Sequence, residues 1–356
     1  MQLYRCRSVC FVAAITALVV LLTFYILSTP RQRSREAIIR GESASPPYNS
    51  TDGWKALHFS KAAYCDVETV ENWSCGNSCS TATPNFHVYN VYSNTSTGNL
   101  GYSGLDHDGK RIVVAFRGTY NTANWIQNLD FWLTPYPHPG CGKLCKVHGG
   151  FYEAYGSLRA QMIQDLLVMH SEYPFYTLFI TGHSLGGAIA SLAAVEVTTW
   201  DTLEPEVLGR GAASTSLHLV PMELYTFGEP RVGNVYFANW SSSVLGSRRA
   251  FRLTHGKDPV PHLPPCTWGY VHIPQEVWYP ASGEEYYLCN DTAVSEDPRC
   301  SNSVYATNVT DHLMYLGVCT RCECTAAEME EINCYKLSPE MYSILALDYA
   351  LTGLIF

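Results

Sequence analysis

The chain has 356 residues, of which 47% are hydrophobic and 15% are charged, and its formal net charge is −9. This composition supplies enough apolar side chains for one large folded domain and excludes a chain that is disordered throughout. The acidic balance argues against nucleic-acid binding, which needs a basic surface, so we expect no nucleic-acid partner.

An apolar run at residues 9–28 is long enough to cross the ~30 Å hydrocarbon core of a membrane as a helix. No small-residue cleavage pattern follows it, which favours a signal anchor with a short cytosolic tail (residues 1–8) over a cleaved signal peptide. More arginines follow the run than precede it, and the positive-inside rule alone would keep the body cytosolic. Residues 29–50 are polar, and we interpret them as a stalk between the membrane and the folded domain.

Cysteines and glycosylation sequons instead indicate the secretory lumen. Cys6 and Cys10 belong to the leader, which leaves an even number of the 14 cysteines in the body, as expected in an oxidising compartment. N-x-S/T sequons begin at Asn49, Asn72, Asn94, Asn239, Asn290 and Asn308. We therefore expect a single-pass membrane protein with a lumenal or extracellular body, or a secreted protein if the leader is cleaved.

The spacing of the body's cysteines predicts disulfides. The candidates are the close pairs Cys75–Cys79, Cys141–Cys145 and Cys289–Cys300, and a long-range bridge from Cys65 to the cluster Cys319, Cys322 and Cys324. That cluster with Cys334 could instead suggest zinc. No second C-x-x-C and no histidine pair stands nearby at finger spacing, so we favour disulfides and expect no metal.

From about residue 51 the chain alternates between strand and helix patterns, which predicts an α/β sheet. The predicted elements are a strand at 111–116, a helix at 150–170, a strand at 176–181, a helix at 184–197 and strands at 222–227 and 251–254. We place the catalytic domain at residues 51–335 and an apolar extension at 336–356. Asp348 argues against a membrane span in that extension and favours a packed helix.

The sequence Gly182-His183-Ser184-Leu185-Gly186 stands between the strand at 176–181 and the following helix. It matches the G-x-S-x-G pattern of a nucleophile elbow, in which a tight turn exposes the serine hydroxyl at the positive end of a helix. Ser184 is therefore the candidate nucleophile.

A serine hydrolase of this kind needs an acid, a base and an oxyanion hole. Asp258 follows the strand at 251–254 in a proline-rich loop, a better position for a buried acid than Asp291 or Asp297. The residue pattern leaves the base open among four later histidines: His255, His262, His272 and His312. The backbone N–H of Leu185 supplies one oxyanion donor, and the junction at Thr119 offers the second.

The chain resembles the fungal-type (class 3) lipases of the α/β-hydrolase superfamily over roughly residues 62–324. The matching segments occur in order: "AAYC", "VVAFRGTYNTANWIQNLDF", "VHGGFYEAY", "TGHSLGGA", "TFGEPRVGN", "GKDPVPHLPP", "GYVHIPQEVWY" and "CSNSVYATNVTDHLMYLG". The resemblance implies a mostly parallel central sheet flanked by helices. It also implies Ser184 as nucleophile, Asp258 as acid and His312 as base, with Thr119 and Leu185 as oxyanion donors.

The segment "YNTANWIQNLDFW" would then be a short helical lid, with Trp125, Ile126 and Leu129 on its apolar face; a core-facing helix is the alternative. A lid favours long-chain acylglycerols or phospholipids at a membrane or emulsion interface. We expect a monomeric triacylglycerol lipase without a cofactor. A phospholipase, a feruloyl-type esterase and an inactive membrane-tethered binding protein are the alternatives.

Overall fold

The computed structural model describes residues 47–121, 125–126, 130–199, 220–246, 248–280, 285–292, 295–326, 330 and 336–355. The predicted anchor at 9–28 and most of the predicted stalk lie outside these residues. Within the described ranges, no helix combines the length and the apolar character that a membrane crossing requires.

Strands and helices alternate through the described residues, which confirms the predicted α/β class. The strands are β1 (Phe86–Asn94), β2 (Asn99–Asp106), β3 (Arg111–Phe116), β4 (Leu133–Pro135), β5 (Lys146–His148), β6 (Thr177–His183), β7 (Met222–Phe227), β8 (Gly233–Asn234), β9 (Arg249–His255), β10 (Tyr270–Val271), β11 (Glu276–Tyr279), β12 (Tyr287–Leu288), β13 (Met314–Tyr315) and β14 (Val318–Cys319). The helices are α1 (Ser50–Ala62), α2 (Val67–Glu71), α3 (Gly149–Glu172), α4 (Leu185–Thr198), α5 (Val235–Leu245), α6 (Val309–His312) and α7 (Pro339–Ile355).

The central sheet has the strand order β1-β2-β3-β6-β7-β9-β11-β12. The strands from β3 to β11 in that order pair in parallel, and antiparallel pairing occurs only toward the two edges of the sheet as described. Parallel strands end at the same edge of a sheet, so the loops after β3, β6 and β9 lie together at the carboxyl edge.

Helices cover both faces of the sheet because side chains alternate along each strand. On β3, Ile112 and Val114 belong to a buried cluster with residues of α3 and α4. Val113 and Ala115 belong to a second cluster, which contains residues of α1. Every residue of β3 is buried, as expected for a strand with a helix layer on each face.

The described part of the chain contains five disulfides, and each of the predicted pairings is among them. The bridges are Cys65–Cys322, Cys75–Cys79, Cys141–Cys145, Cys289–Cys300 and Cys319–Cys324. Cys65–Cys322 joins positions 257 residues apart and so connects the end of α1 with the segment after β14. Cys266 is a free thiol, and Cys334 lies outside the described residues.

The helix α7 is held to the rest of the domain by a buried charge cluster. Arg231 is 0% exposed, and its guanidinium donates to both carboxylate oxygens of Glu296, at 2.8 and 2.9 Å. Its Nη1 also donates to the carbonyls of His262 and Pro264 and lies 3.1 Å from Oδ2 of Asp348 on α7. Burial opposes ionisation of Glu296, but Arg231 outweighs it and holds the pKa of Glu296 well below its usual value.

We expect Arg231→Met to lower the free energy of unfolding by about 3–5 kcal/mol, because it leaves the carboxylates of Glu296 and Asp348 buried without their cation. Urea titration followed by circular dichroism measures the loss. Arg299→Met is the matched control, since the side chain of Arg299 is 61% exposed beside Asp297 and its removal should cost no more than about 1 kcal/mol. Equal losses in the two variants would contradict a structural role for the Arg231 cluster.

Candidate active site

Ser184 stands at the turn between β6 and α4, with a backbone conformation that residues other than glycine rarely adopt. Its φ is 59° and its ψ is −130°. A Cβ at Gly182 would lie 2.1 Å from the carbonyl oxygen of Gly186, and a Cβ at Gly186 would lie 2.2 Å from the carbonyl oxygen of Phe116. Glycine is therefore required at both positions of the G-x-S-x-G motif, so that strand, helix and β3 can approach one another.

The turn places the serine at the carboxyl edge of the sheet. The N–H of Ser184 donates to the carbonyl of Phe227 at the end of β7, at 2.9 Å. The side chain is buried, and its Oγ has no hydrogen-bond partner among the described residues. Since α4 begins at Leu185, the hydroxyl group stands at the positive end of that helix.

Asp258 and His312 form a buried pair that the loops after β9 and around α6 bring together. Nδ1 of His312 donates to Oδ2 of Asp258 at 2.8 Å, and the two side chains are 0% and 1% exposed. The second carboxylate oxygen of Asp258 accepts the N–H of Val260 at 2.8 Å. With its proton on Nδ1, the neutral imidazole has its lone pair on Nε2, which has no partner within the described ranges.

His183, the residue before Ser184, connects the turn to the histidine loop. Nε2 of His183 donates to the carbonyl of His312 at 2.7 Å, and the two rings are 4.5 Å apart. Its Nδ1 accepts from the hydroxyl of Tyr64 at 2.8 Å, on the segment that follows α1. Burial holds the pKa of His183 well below its usual value, so this ring is neutral and fixes positions without carrying charge.

The loop after β3 lies directly beside the serine. A Cβ at Gly118 would be 3.0 Å from Cβ of Ser184 and 2.5 Å from the carbonyl oxygen of His183. Thr119, the next residue, is half-buried. Leu185 is the first residue of α4, so its N–H has no carbonyl of that helix to donate to. The two expected donors thus flank the serine from different loops.

The other histidines and acids that the sequence left open have different partners. His272 donates from Nε2 to the carbonyl of Pro261 at 2.7 Å, and Nδ1 of His255 lies 3.1 Å from the carbonyl oxygen of Asp311. Asp291 pairs with Arg252, and Asp297 with Arg299. His262 is buried, and its carbonyl oxygen accepts from Arg231. None of these bonds reaches Asp258.

One further group of potential metal ligands lies within the described residues, but its sulfur atoms are not free to bind a metal. The ligand atoms of Glu276, Cys289 and Cys300 lie within 4.8 Å of one another. Both sulfurs are consumed by the disulfide between these cysteines, which leaves a single carboxylate.

Sequence reasoning missed two buried polar side chains near the carboxyl edge of the sheet, one bonded to Asp258 and one shortly after β7. Tyr315 on β13 donates its hydroxyl to Oδ2 of Asp258 at 2.5 Å. Glu229 follows Gly228, where an added Cβ would lie 2.7 Å from Nδ1 of His312. Tyr315 stands three residues after His312, and Glu229 lies inside the "TFGEPRVGN" segment, but nothing in the residue pattern indicated what either side chain contacts.

Two of the three apolar residues of the predicted lid, Trp125 and Ile126, lie within the described part of the chain. Ile126 is 0% exposed and belongs to a buried cluster with Val260 and Val309, which lie close in sequence to Asp258 and His312. Trp125 is half-buried, and its ring stacks on that of Phe151 at 6.1 Å. Leu129 lies outside the described residues.

A family model described as Lipase (class 3) matches residues 113–268. A lipase of Rhizomucor miehei is 37% identical over 214 residues, which are 59% of this chain and 53% of that protein. The secreted mono- and diacylglycerol lipase 1 of Fusarium solani is 31% identical over 275 residues, which are 75% of each protein. This chain therefore spans about half the length of the first relative and three quarters of the second.

The fold of this chain is also similar to the folds of solved lipase structures. The structure of the Rhizomucor miehei triacylglyceride lipase superposes with a TM-score of 0.65 at 31% sequence identity, covering 77% of this chain and 97% of the lipase. A lipase from Rhizopus microsporus var. chinensis superposes with a TM-score of 0.66 at 27% identity, covering 83% of this chain and all of that one.

The buried carboxyl of Glu229 should make the free energy of unfolding depend on pH. Burial raises the pKa of Glu229 from 4.5 to about 7, while Thr226 donates to its carboxyl at 2.5 Å. The pKa of this carboxyl is higher in the folded than in the unfolded protein. Its contribution to the free energy of unfolding is therefore fully present below about pH 4.5 and is lost as the pH rises through 7. Glu229→Gln removes that titration, so the variant should match the wild type near pH 5 and exceed it by about 3 kcal/mol near pH 8.

Urea unfolding of both proteins from pH 5 to 8 measures this difference, and titrations elsewhere in the chain cancel in the comparison. Glu153→Gln, on the exposed side of α3, is the control and should show no such divergence. A constant difference between Glu229→Gln and the wild type across this range would show that the carboxyl does not titrate there.

Proposed function

Since the chain belongs to the class 3 lipase family of α/β-hydrolases, we propose that it is a serine hydrolase that cleaves carboxylic ester bonds of lipids. The single observation that carries this proposal is the arrangement at the carboxyl edge of the sheet. There, a buried, strained serine follows β6, and His183 before it bonds to the carbonyl of His312, whose Nδ1 is bonded to Asp258 at 2.8 Å.

In the proposed mechanism, Nε2 of His312 takes the proton of Ser184 as Oγ attacks the ester carbonyl carbon. Asp258 holds the imidazole with its proton on Nδ1 and stabilises the imidazolium that forms. The negative charge on the carbonyl oxygen is stabilised by the N–H groups of Leu185 and Thr119, each worth about 3 kcal/mol of barrier. His312 then protonates the departing alcohol oxygen.

The product of this first half is an ester between the acyl group and Oγ of Ser184. Water attacks that ester while His312 accepts one of its protons, and the proton returns to Oγ as the fatty acid leaves. Tyr315 donates to the same oxygen of Asp258 as His312 does, and so helps to hold the carboxylate in position against the imidazole.

We propose acylglycerols at a lipid–water interface as the substrate. The apolar residues Trp125 and Ile126 follow the loop of the proposed oxyanion donor Thr119, and both are at least half-buried. A segment that shields such residues in water and exposes them to lipid acts as a lid. The relatives' names, a triacylglyceride lipase and a mono- and diacylglycerol lipase, support the same class of substrate.

We also propose that the protein passes through the secretory pathway. Disulfides within the described residues and the secreted relatives support export. Five of the sequon asparagines, Asn49, Asn72, Asn239, Asn290 and Asn308, are exposed, and Asn94 is half-exposed, as glycosylation requires. In this proposal residues 9–28 form the signal anchor, and the catalytic domain is lumenal or extracellular.

We expect Ser184→Ala and His312→Gln each to reduce hydrolysis of a soluble short-chain ester by about 10⁴-fold or more, because the members of a triad act as one unit. A chromogenic ester measures the rate, and circular dichroism checks the fold. His272→Gln is the control, since His272 bonds to Pro261 and not to Asp258. A larger loss in His272→Gln than in His312→Gln would show that the base is assigned to the wrong histidine.

The lid proposal predicts a selective defect. Replacing the half-buried Trp125 by Asp should lower activity on emulsified long-chain acylglycerol by about tenfold or more, because a large apolar side chain contributes ~1.5–3 kcal/mol on burial. Hydrolysis of a dissolved short-chain ester should stay within about twofold, since Trp125 does not belong to the triad and is not fully buried. Trp54→Asp, on α1, should affect neither substrate. Equal losses on both substrates would identify the segment as part of the core.

A further inference from the structure

The backbone of the proposed oxyanion donor Thr119 is held on one side by the elbow. A Cβ at Gly118, the residue before it, would lie 2.2 Å from the hydroxyl oxygen of Tyr64 and 2.5 Å from the carbonyl oxygen of His183. The residue after it, Tyr120, is 44% exposed, so core packing alone does not fix the loop on that side. The position of Thr119 therefore also depends on what holds Tyr120.

Tyr120 is held both at its side chain and at its backbone. Its hydroxyl donates to the carbonyl of Tyr64, on the segment that follows α1. Its own carbonyl accepts from Nη2 of Arg321 at 2.8 Å. The guanidinium of Arg117 lies over its ring, 4.9 Å from the centroid. Bonds at the two ends of one residue restrict both its rotation and its displacement.

The segment that carries Arg321 is itself fixed. Arg321 lies within the loop that the Cys319–Cys324 disulfide closes, and the next residue, Cys322, is bonded to Cys65. Nζ of Lys61, on the last turn of α1, donates to the backbone carbonyl of Arg321. Because its backbone is held in this way, the guanidinium starts from a fixed point when it reaches the oxyanion loop.

The two residues that hold Tyr120 are also joined covalently. Cys65 follows Tyr64 in the chain and Cys322 follows Arg321, so the Cys65–Cys322 disulfide links the acceptor of the Tyr120 hydroxyl to the donor of its carbonyl. Arg321 and Tyr120 are 201 positions apart in sequence, and this contact exists only in the folded chain.

The positive charge of Arg321 acts on groups beside the proposed nucleophile. Burial is the main cause that lowers the pKa of His183, the residue before Ser184, and the charge of Arg321 lowers it further. Burial raises the pKa of Tyr64, and Arg321 opposes that increase. A cation that acts on both groups also favours the negative charge that would develop next to Ser184.

We propose that Arg321 is a positioning residue for ester hydrolysis, which holds Tyr120 so that the N–H of Thr119 stays directed at the oxyanion; this inference rests on the proposed function. Oxyanion donors stabilise a transition state because they are oriented before the reaction begins. A displacement of about 1 Å in such a group can cost as much as about a hundredfold in rate. Arg321 acts through the backbone of the loop and not on the reacting atoms.

The first experiment measures kcat and KM of the full chain on p-nitrophenyl butyrate. Arg321→Met should lower kcat by about tenfold and leave KM within about twofold, because the oxyanion bond is stronger in the transition state than in the bound ester. Arg321→Lys should keep kcat within about threefold of the wild type, since a single carbonyl oxygen can accept from an ammonium group.

Arg299→Met is the matched control, because Arg299 is 61% exposed and bonds to Asp297, away from the oxyanion loop. It should change neither kcat nor KM. A loss in Arg321→Lys as large as that in Arg321→Met would overturn the role of the bond to the Tyr120 carbonyl.

The second experiment separates positioning from a loss of folded protein. An alkyl boronic acid forms a tetrahedral, anionic adduct with the serine of such a site, and its inhibition constant does not depend on the fraction of enzyme that is active. We expect this constant to rise by about tenfold in Arg321→Met and to stay unchanged in Arg299→Met, as for an analogue of the transition state. A lower kcat with an unchanged inhibition constant would overturn the proposal.

The same measurements distinguish the two proposals from each other. A wild-type protein that hydrolyses no ester and binds no boronic acid would refute the proposed function, and the role of Arg321 with it. A wild-type protein that hydrolyses the ester, with an Arg321→Met variant that equals it in kcat and in boronic acid affinity, would refute the role of Arg321 alone.

Discussion

The candidate site depends on one constraint, the close approach of β3, β6 and α4 around Ser184. A side chain at Gly182 or Gly186 would collide with backbone at about 2 Å, and Ser184 itself is held at a φ of 59°. Such strain persists only where the surroundings determine the backbone, and here the bond from Ser184 N–H to Phe227 and the first turn of α4 do so. The same tight junction brings the loop at Gly118 against the serine. The positions of the proposed nucleophile and of the proposed oxyanion donor loop therefore follow from one packing arrangement.

Around this junction, buried polar groups form hydrogen bonds that hold the loops in position. His183 connects the elbow with the carbonyl of His312 and, through Tyr64, with the segment after α1. Because burial keeps His183 neutral, these bonds fix geometry without adding a positive charge next to His312. Tyr315 adds a second donor to Asp258. The catalytic proposal thus rests on a set of positions that several separate loops determine together.

The C-terminal helix is attached by electrostatics as well as by apolar packing. All of the bonds that Arg231 makes are directed inward, to Glu296, Asp348 and two loop carbonyls. The carbonyls belong to the segment just after Asp258, so the charge cluster joins α7 to the loop of the proposed catalytic acid. This arrangement places Asp348 inside the domain, while Glu340 in the first turn of α7 is exposed.

Local sequence determined the elements and the elbow, because their requirements are local. Short apolar stretches predicted the bounds of β3 and β7 to the residue, and the glycines on either side of Ser184 meet a steric requirement of a five-residue turn. Pairing across long separations was decided mostly by the tertiary structure, and even for the predicted bridge from Cys65 to the late cysteine cluster the sequence did not select Cys322. The residue pattern left four histidines open until the family resemblance selected His312, which lies 54 positions from Asp258 in sequence. Sequence predicted a packed helix around Asp348, but its bond to Arg231, 117 positions away, depends on how the sheet brings the two loops together. Side chains pair according to their positions in three dimensions. The local sequence determines those positions only for residues that are close together along the chain.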